Sequence, residues 1–339
     1  MLRTRFTADY GLEAPIALAG MGFISTPRLA AAVANGGGFG SVAAGLTSPG
    51  ALRNLIATTR SMTDRPFGLN FIVETTAFGP LTSEEHIDVC VTEDVPVVSF
   101  FWNLPPVEWL MRLKNRGCRV WFQTSSIPLA LEAVAMGADL VIAQGEEAGG
   151  HNKANTGLFV LLPAMIDALG GKVPVLAAGG IADGRGLAAA LCLGADGVWM
   201  GTRFLATEES NAHPTYKQRV VEAGPGDLAK TFLFGPEWPD APMRVIRNRV
   251  VREWAGRDSA TPSPPDSPQK IGTTKIGDMP YDMPKFAAIL PTPETDGDFE
   301  EMCLAAGESA ALIHDVVAAG EVVRRIAAET MAILDARAR

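Results

Sequence analysis

The sequence predicts an α/β fold, a (β/α)8 TIM barrel with a smaller, mostly helical and irregular inserted subdomain. Three observations lead there. Eight short apolar runs alternate with stretches that can form helices. The runs are apolar at nearly consecutive positions, the pattern of parallel strands covered by helices. A chain of 339 residues with 47% hydrophobic content can bury the large core a closed barrel needs.

The first strand is expected over residues 15–19, turned by Gly20-Met21-Gly22. Ser25-Thr26-Pro27 then starts a helix over 28–35, with proline near its first position, and Gly36-Gly37-Gly38 ends it. A second strand over 39–42 leads to a helix opened by Ser48-Pro49. The third strand covers 66–71 and its helix 83–93; the fourth covers 95–101 and its helix 107–116. The fifth strand covers 119–123 and its helix 127–136; the sixth covers 140–143 and its helix 161–169. After the seventh strand, 173–178, Asp183 can cap a helix from about 185 to 193, and 197–200 is the eighth strand.

The pattern changes after about residue 210. Residues 213–223 can be helical, 232–236 begin an irregular part, and 244–254 read as a helix whose polar face carries Arg244, Arg247, Arg249 and Arg252. That arginine face is most simply solvated. Six prolines within 257–284 argue against a long helix or a central strand there. Residues 309–336 read as a strong final helix. The expected organisation is therefore a barrel of residues 1–210 plus 286–339, with 211–285 inserted on the substrate side.

Composition narrows the function. The net charge is −9 and no dense Lys/Arg run occurs, which disfavours nonspecific nucleic-acid binding. The four cysteines are far apart and form no CxxC, as expected of free thiols in a reducing compartment. The first residues lack the apolar core of a signal peptide, and no apolar run approaches the roughly 20 residues that span a bilayer. A cytoplasmic protein without membrane contact is expected; oligomeric state is left open.

The chemistry concentrates in loops that follow the strands. The sixth strand leads into Gln144-Gly145-Glu146-Glu147-Ala148-Gly149-Gly150-His151-Asn152, with three glycines and one of four histidines. Glycines let backbone approach a ligand closely, and histidine can move protons near neutral pH. Gly179-Gly180 follows the seventh strand and Gly201-Thr202 the eighth. In such barrels these two loops often bind phosphate through backbone N–H groups, here those of Gly180, Gly201 and Thr202, with the Thr202 hydroxyl as a further donor. Asn70 and Gln144 end the third and sixth strands, and amides match a heterocycle whose edge alternates donors and acceptors. With no dinucleotide fingerprint, this set points to FMN. His86, His213 and His314 read as structural. Of Glu146 and Glu147, one is expected to hold the loop or orient His151, and the other to be solvated.

Gln144 to His151, followed by Ala178-Gly179-Gly180-Ile181 and Met200-Gly201-Thr202, resembles the nitronate monooxygenase family of FMN-dependent TIM barrels. Ser25-Thr26-Pro27, Arg65 to Asn70, Val98-Ser99-Phe100 and Gly297-Asp298 extend the resemblance over nearly the whole chain. It implies His151 as catalytic base. It implies FMN contacts from Asn70, Gln144, Gly149, Gly180, Trp199, Met200, Gly201 and Thr202, and from Met21 through its backbone. Gln123, Gly150 and Gly179 complete the set. The implied reaction is oxidation of alkyl nitronates by O2 to a carbonyl compound and nitrite. The alternative is an NAD(P)H-dependent FMN reductase of the enoyl-thioester or quinone type. Departures fall on the site face: Ala19-Gly20-Met21 where the family often has Ala-Pro-Met, Trp102-Asn103 where it often has an aromatic residue and glycine, and Gln123 where a smaller residue is common.

Overall fold

A computed structural model describes residues 2–77, 79–257, 269–277 and 279–337. Eight parallel strands form the barrel: β1 (Ile16–Leu18), β2 (Gly40–Ala43), β3 (Phe67–Val73), β4 (Val97–Trp102), β5 (Arg119–Thr124), β6 (Leu140–Gln144), β7 (Val175–Ala178) and β8 (Gly197–Met200). The sheet runs in sequence from β2 to β8 and returns to β1, where Ile16 is level with Val198. It closes where Leu18 N–H donates to Phe39 O and Phe39 N–H donates to Ile16 O.

The strands are wrapped by α1 (Pro27–Asn35), α2 (Pro49–Met62), α3 (Glu84–Thr92), α4 (Val107–Asn115), α5 (Ile127–Ala135), α6 (Leu158–Leu169), α7 (Gly184–Cys192) and α8 (Ala319–Arg337). Proline at the first turn starts α1, α2 and α5. Asp183 caps α7 by accepting from Arg185 N–H and Gly186 N–H. Val42, Leu69, Val98, Val120, Val141, Ala177 and Val198 pack outward against the helices. The alternate residues Val97, Trp121, Ile142, Leu176 and Trp199 fill the barrel interior. The runs are apolar at consecutive positions because both faces of each strand are buried.

The lower end of the barrel is plugged from the N-terminal side. Phe6 and Tyr10, on the helix Arg5–Tyr10, pack with Phe39 and Trp121 in the interior cluster. Trp121 Nε1–H donates to the Tyr10 hydroxyl at 2.7 Å, and the two rings meet edge to face at 5.1 Å.

The segment between β8 and α8 corrects several expectations. Residues 244–254 are not one helix: Met243–Ile246 is a strand, and only Arg249–Trp254 is helical. Met243–Ile246 pairs antiparallel with Leu228–Thr231 on one side and Gly150–His151 on the other. A strand also occurs where prolines argued against a central one. Lys270–Ile276 lies between Met279–Pro284 and Asp296–Gly297. Pro280 and Pro284 both fall on the outer strand, where a missing N–H is tolerated. The insertion thus carries more sheet than the expected helical and irregular character. The final helix is also shorter: a 3-10 turn, Glu308–Leu312, is separated from α8 by a stretch in which Val317 bridges Thr207.

The arginines are not simply a solvated face. Arg244 is buried, donates to Glu146 O at 3.0 Å and pairs with Glu308. Arg247 donates to Leu228 O, and Arg249 pairs with Asp298 and Glu301. A second core joins Tyr216, Phe234, Val245 and Val250 to Phe286, Leu290, Cys303 and Ile313, so packing is continuous across residue 285.

Candidate active site

All thirteen residues singled out in the sequence meet in one cavity of about 900 Å3 above the barrel: Met21, Asn70, Gln123, Gln144, Gly149, Gly150, His151, Gly179, Gly180, Trp199, Met200, Gly201 and Thr202. They come from six strand ends, because inward-facing positions at the upper rim converge on the axis. Met200 is the exception in orientation. Its side chain belongs to the strand–helix core, which leaves its backbone for the cavity.

The amides form one side of the floor. Asn70 Nδ2–H donates to Ser99 Oγ at 2.9 Å, and Gln144 Nε2–H donates to His151 O at 3.4 Å. The Gln123 amide has no hydrogen-bond partner among the described residues although Gln123 is buried. Gly20 explains how Asn70 fits. A Cβ there would stand 2.5 Å from Asn70 Cβ, so the absent side chain is replaced by the Asn70 amide.

The loops after β7 and β8 form a backbone cradle. Gly179 and Gly180 have φ of +105° and +71°, which glycine adopts without penalty. A Cβ on Gly179 would also stand 2.9 Å from Ala148 N. The N–H groups of Gly180, Gly201 and Thr202 have no hydrogen-bond partner among the described residues. Thr202 Oγ1 accepts from Gly307 N–H at 3.0 Å, which leaves its own O–H free to donate. An unpaired Gln123 amide and unpaired backbone N–H groups in one cavity fit a ligand with a polar ring edge and an anionic tail.

His151 lies where the β6 loop meets the insertion. Its Nδ1–H donates to Ala241 O at 3.1 Å, so Nε2 carries the lone pair. The ring lies 4.2 Å from Trp238 and 5.9 Å from Trp102, which touch each other at 4.6 Å. Burial among these rings lowers the His151 pKa from 6.5 to about 4, against the opposing pull of the Ala241 carbonyl. The imidazole is therefore a neutral proton acceptor at physiological pH. Trp102 adopts φ +88°, a strained value for a bulky residue. It is held by Trp238 and by Lys153, whose Nζ lies 3.9 Å from the ring centroid.

Glu147 holds the loop: both its oxygens accept from Leu158 N–H at the start of α6. His86 and His213 are structural, bonded to Thr47 O and capping the helix Pro214–Glu222 respectively, and His314 is exposed.

One residue of the loop received no role from the sequence. Asn152 is fully buried, and its Nδ2 donates to Gly145 O, Glu146 O and Ala148 O at 3.0–3.2 Å. Its Oδ1 accepts from Ala154 N–H at 2.7 Å, and its own N–H donates to Pro242 O. The available signal was a short amide directly after a glycine-rich loop, the residue type that can tie several backbone groups at once. Asn152→Ala is expected to destabilise the fold by about 2–4 kcal/mol, because buried carbonyls lose their donor. Urea unfolding of the two proteins checks this, and an unchanged midpoint would refute it.

A barrel whose upper cavity combines three amides, a glycine cradle and a neutral histidine fits one class: an oxidoreductase that works with a flavin. The nitronate monooxygenase family model matches residues 3–329, and the chain belongs to that family. A Mycobacterium tuberculosis (3aS,4S,5R,7aS)-5-hydroxy-7a-methyl-1-oxo-octahydro-1H-indene-4-carboxyl-CoA dehydrogenase is 38% identical, over 74% of this chain and 68% of its own. FabK from Thermotoga maritima superposes with TM-score 0.78 at 32% identity, covering 99% of this chain and 98% of its own. Nitroalkane oxidase from Streptomyces ansochromogenes gives TM-score 0.78 at 28% identity, covering 96% and 98%. Among the described residues no helix is long and apolar enough to cross a membrane, and no group of metal-binding side chains occurs.

Proposed function

We propose that this enzyme holds FMN and oxidises alkyl nitronates with O2 to a carbonyl compound and nitrite, with His151 as base. The observation that carries this reading is a neutral His151, with Nε2 free, in the same cavity as the amides and the glycine cradle. Asn70, Gln123 and Gln144 would meet the ring edge. Gly149, Gly150, Gly179, Gly180, Gly201 and Thr202 would surround the phosphate, with Met21, Trp199 and Met200 as walls. FMN supplies the electron transfer when bound. His151 takes a proton from the carbon acid or orients the nitronate beside the ring. Residues 211–285 serve as a substrate-side subdomain, fixing His151 through the strand Met243–Ile246.

The relative named as a dehydrogenase supports a second reading, an FMN reductase fed by NAD(P)H. The cavity, near the top of the usual 300–1,000 Å3 range, has room for a second large reactant. Anaerobic stopped-flow of the FMN-loaded protein separates the two. Flavin bleaching by ethylnitronate and not by NADH or NADPH is expected. Bleaching by a pyridine nucleotide alone would replace the first reading with the second.

A further inference from the structure

Among the described residues, one carboxyl lines the cavity: Glu237. The same cavity is lined by Leu81, Phe101, Trp238, Ile276, Tyr281 and Phe286, and also by the polar Thr76 and Lys285. Glu237 makes no ion pair among the described residues. The cation that shares the wall, Lys285, is already matched by Glu301 at 2.9 Å.

Three backbone hydrogen bonds pin the turn that carries Glu237. Gly235 N–H donates to Phe286 O at 2.8 Å, Trp238 N–H to Gly235 O at 2.9 Å, and Ala77 N–H to Glu237 O at 3.0 Å. Gly235 has φ +86°, which permits the turn. The next residue, Trp238, is the ring packed against His151. Burial pushes the Glu237 carboxyl up, and its own N–H and that of Ala288 oppose the rise only in part. A part-buried carboxyl in a mostly apolar wall, with no ion pair among the described residues, is costly unless a ligand group completes it.

We propose that Glu237 is a specificity residue: it accepts a hydrogen bond from a donor group on an otherwise apolar, ring-bearing substrate, at a point away from the reacting carbon. This deepens the proposed function and rests on its premise that the substrate occupies the cavity beside FMN. A charge-assisted bond to a part-buried carboxylate separates a hydroxyl from a methyl by about tenfold in affinity.

The test uses the FMN-loaded protein and two matched ligands, 4'-hydroxyacetophenone and 4'-methylacetophenone, titrated by the change in flavin absorbance. Wild type is expected to bind the hydroxyl compound about tenfold more tightly. Glu237→Leu is expected to abolish or invert that preference, and Glu237→Gln, which keeps an acceptor and the side-chain shape, to retain part of it. A purely structural role would weaken both ligands equally and leave their ratio unchanged. The proposal is overturned if wild type shows no preference, if neither ligand binds, or if the ratio survives in both variants. Loss of nitronate turnover with the preference intact would refute only the reaction, so the two failures are distinguishable.

Discussion

Replacing His151 with alanine is expected to lower turnover of a neutral nitroalkane, whose carbon-bound proton must be removed, by about a hundredfold to ten-thousandfold while the protein keeps its flavin. The side chain makes one polar contact, to Ala241 O, and packs against two tryptophans, so its removal leaves the glycine cradle and the amides in place. The pH profile carries the sharper part of this prediction. Burial holds the imidazole pKa at about 4, so the base-dependent limb of kcat/KM should fall only near that pH and stay flat from about 5.5 to 8. A limb centred near 6.5 in wild type would show that the titrating group is solvated and not this one. The same shift has a sign for stability. The folded protein binds the His151 proton less readily than the unfolded chain, so this contribution is complete above 6.5 and is lost as pH falls toward about 4.

Gly149→Ala is expected to empty the protein of flavin. A Cβ at this position would overlap Gly307 N and stand 2.5 Å from Ala306 C, and both are backbone atoms that cannot rotate aside. Gly307 is equally tight in return, since a Cβ there would stand 2.6 Å from Glu147 O. Relief requires the loop to part from the 306–308 segment, which carries the bonds from Gly307 N–H to Thr202 Oγ1 and from Glu308 N–H to Glu147 O. We expect a loss of about 3 kcal/mol in stability and at least tenfold weaker flavin retention. Flavin-to-protein ratios after gel filtration, with thermal unfolding, check both. Gly150→Ala provides the contrast: nothing lies within 4 Å of its Cβ, but φ is +70°, so only the backbone strain of about 1 kcal/mol applies. A Gly149→Ala protein that kept stoichiometric flavin would contradict this account.

The barrel was legible because its signals are local. Gly197–Met200 begins and ends where its apolar run does, and Asp183 caps the helix it precedes. The glycine loops and amides were legible because the barrel's strand order assigns them to one rim. What escaped depends on partners distant in the chain. Arg244 looks like one of a row of surface arginines until Glu308 and the Glu146 carbonyl are found beside it. The stretch 309–336 has helical composition throughout, yet the bridge from Val317 to Thr207 and the pairing of Asp315 with Arg203 override propensity before α8 begins. Glu237 gave no signal, because its meaning lies in which walls surround it.

The plug formed by Phe6, Tyr10, Phe39 and Trp121 has a kinetic consequence. A vessel stoppered at its base has one doorway, so every reactant and product must pass the same rim. A molecule seated nearer the rim would stand in the route of any bound beneath it. Arrival and departure are therefore ordered by depth: what sits deepest enters first and leaves last.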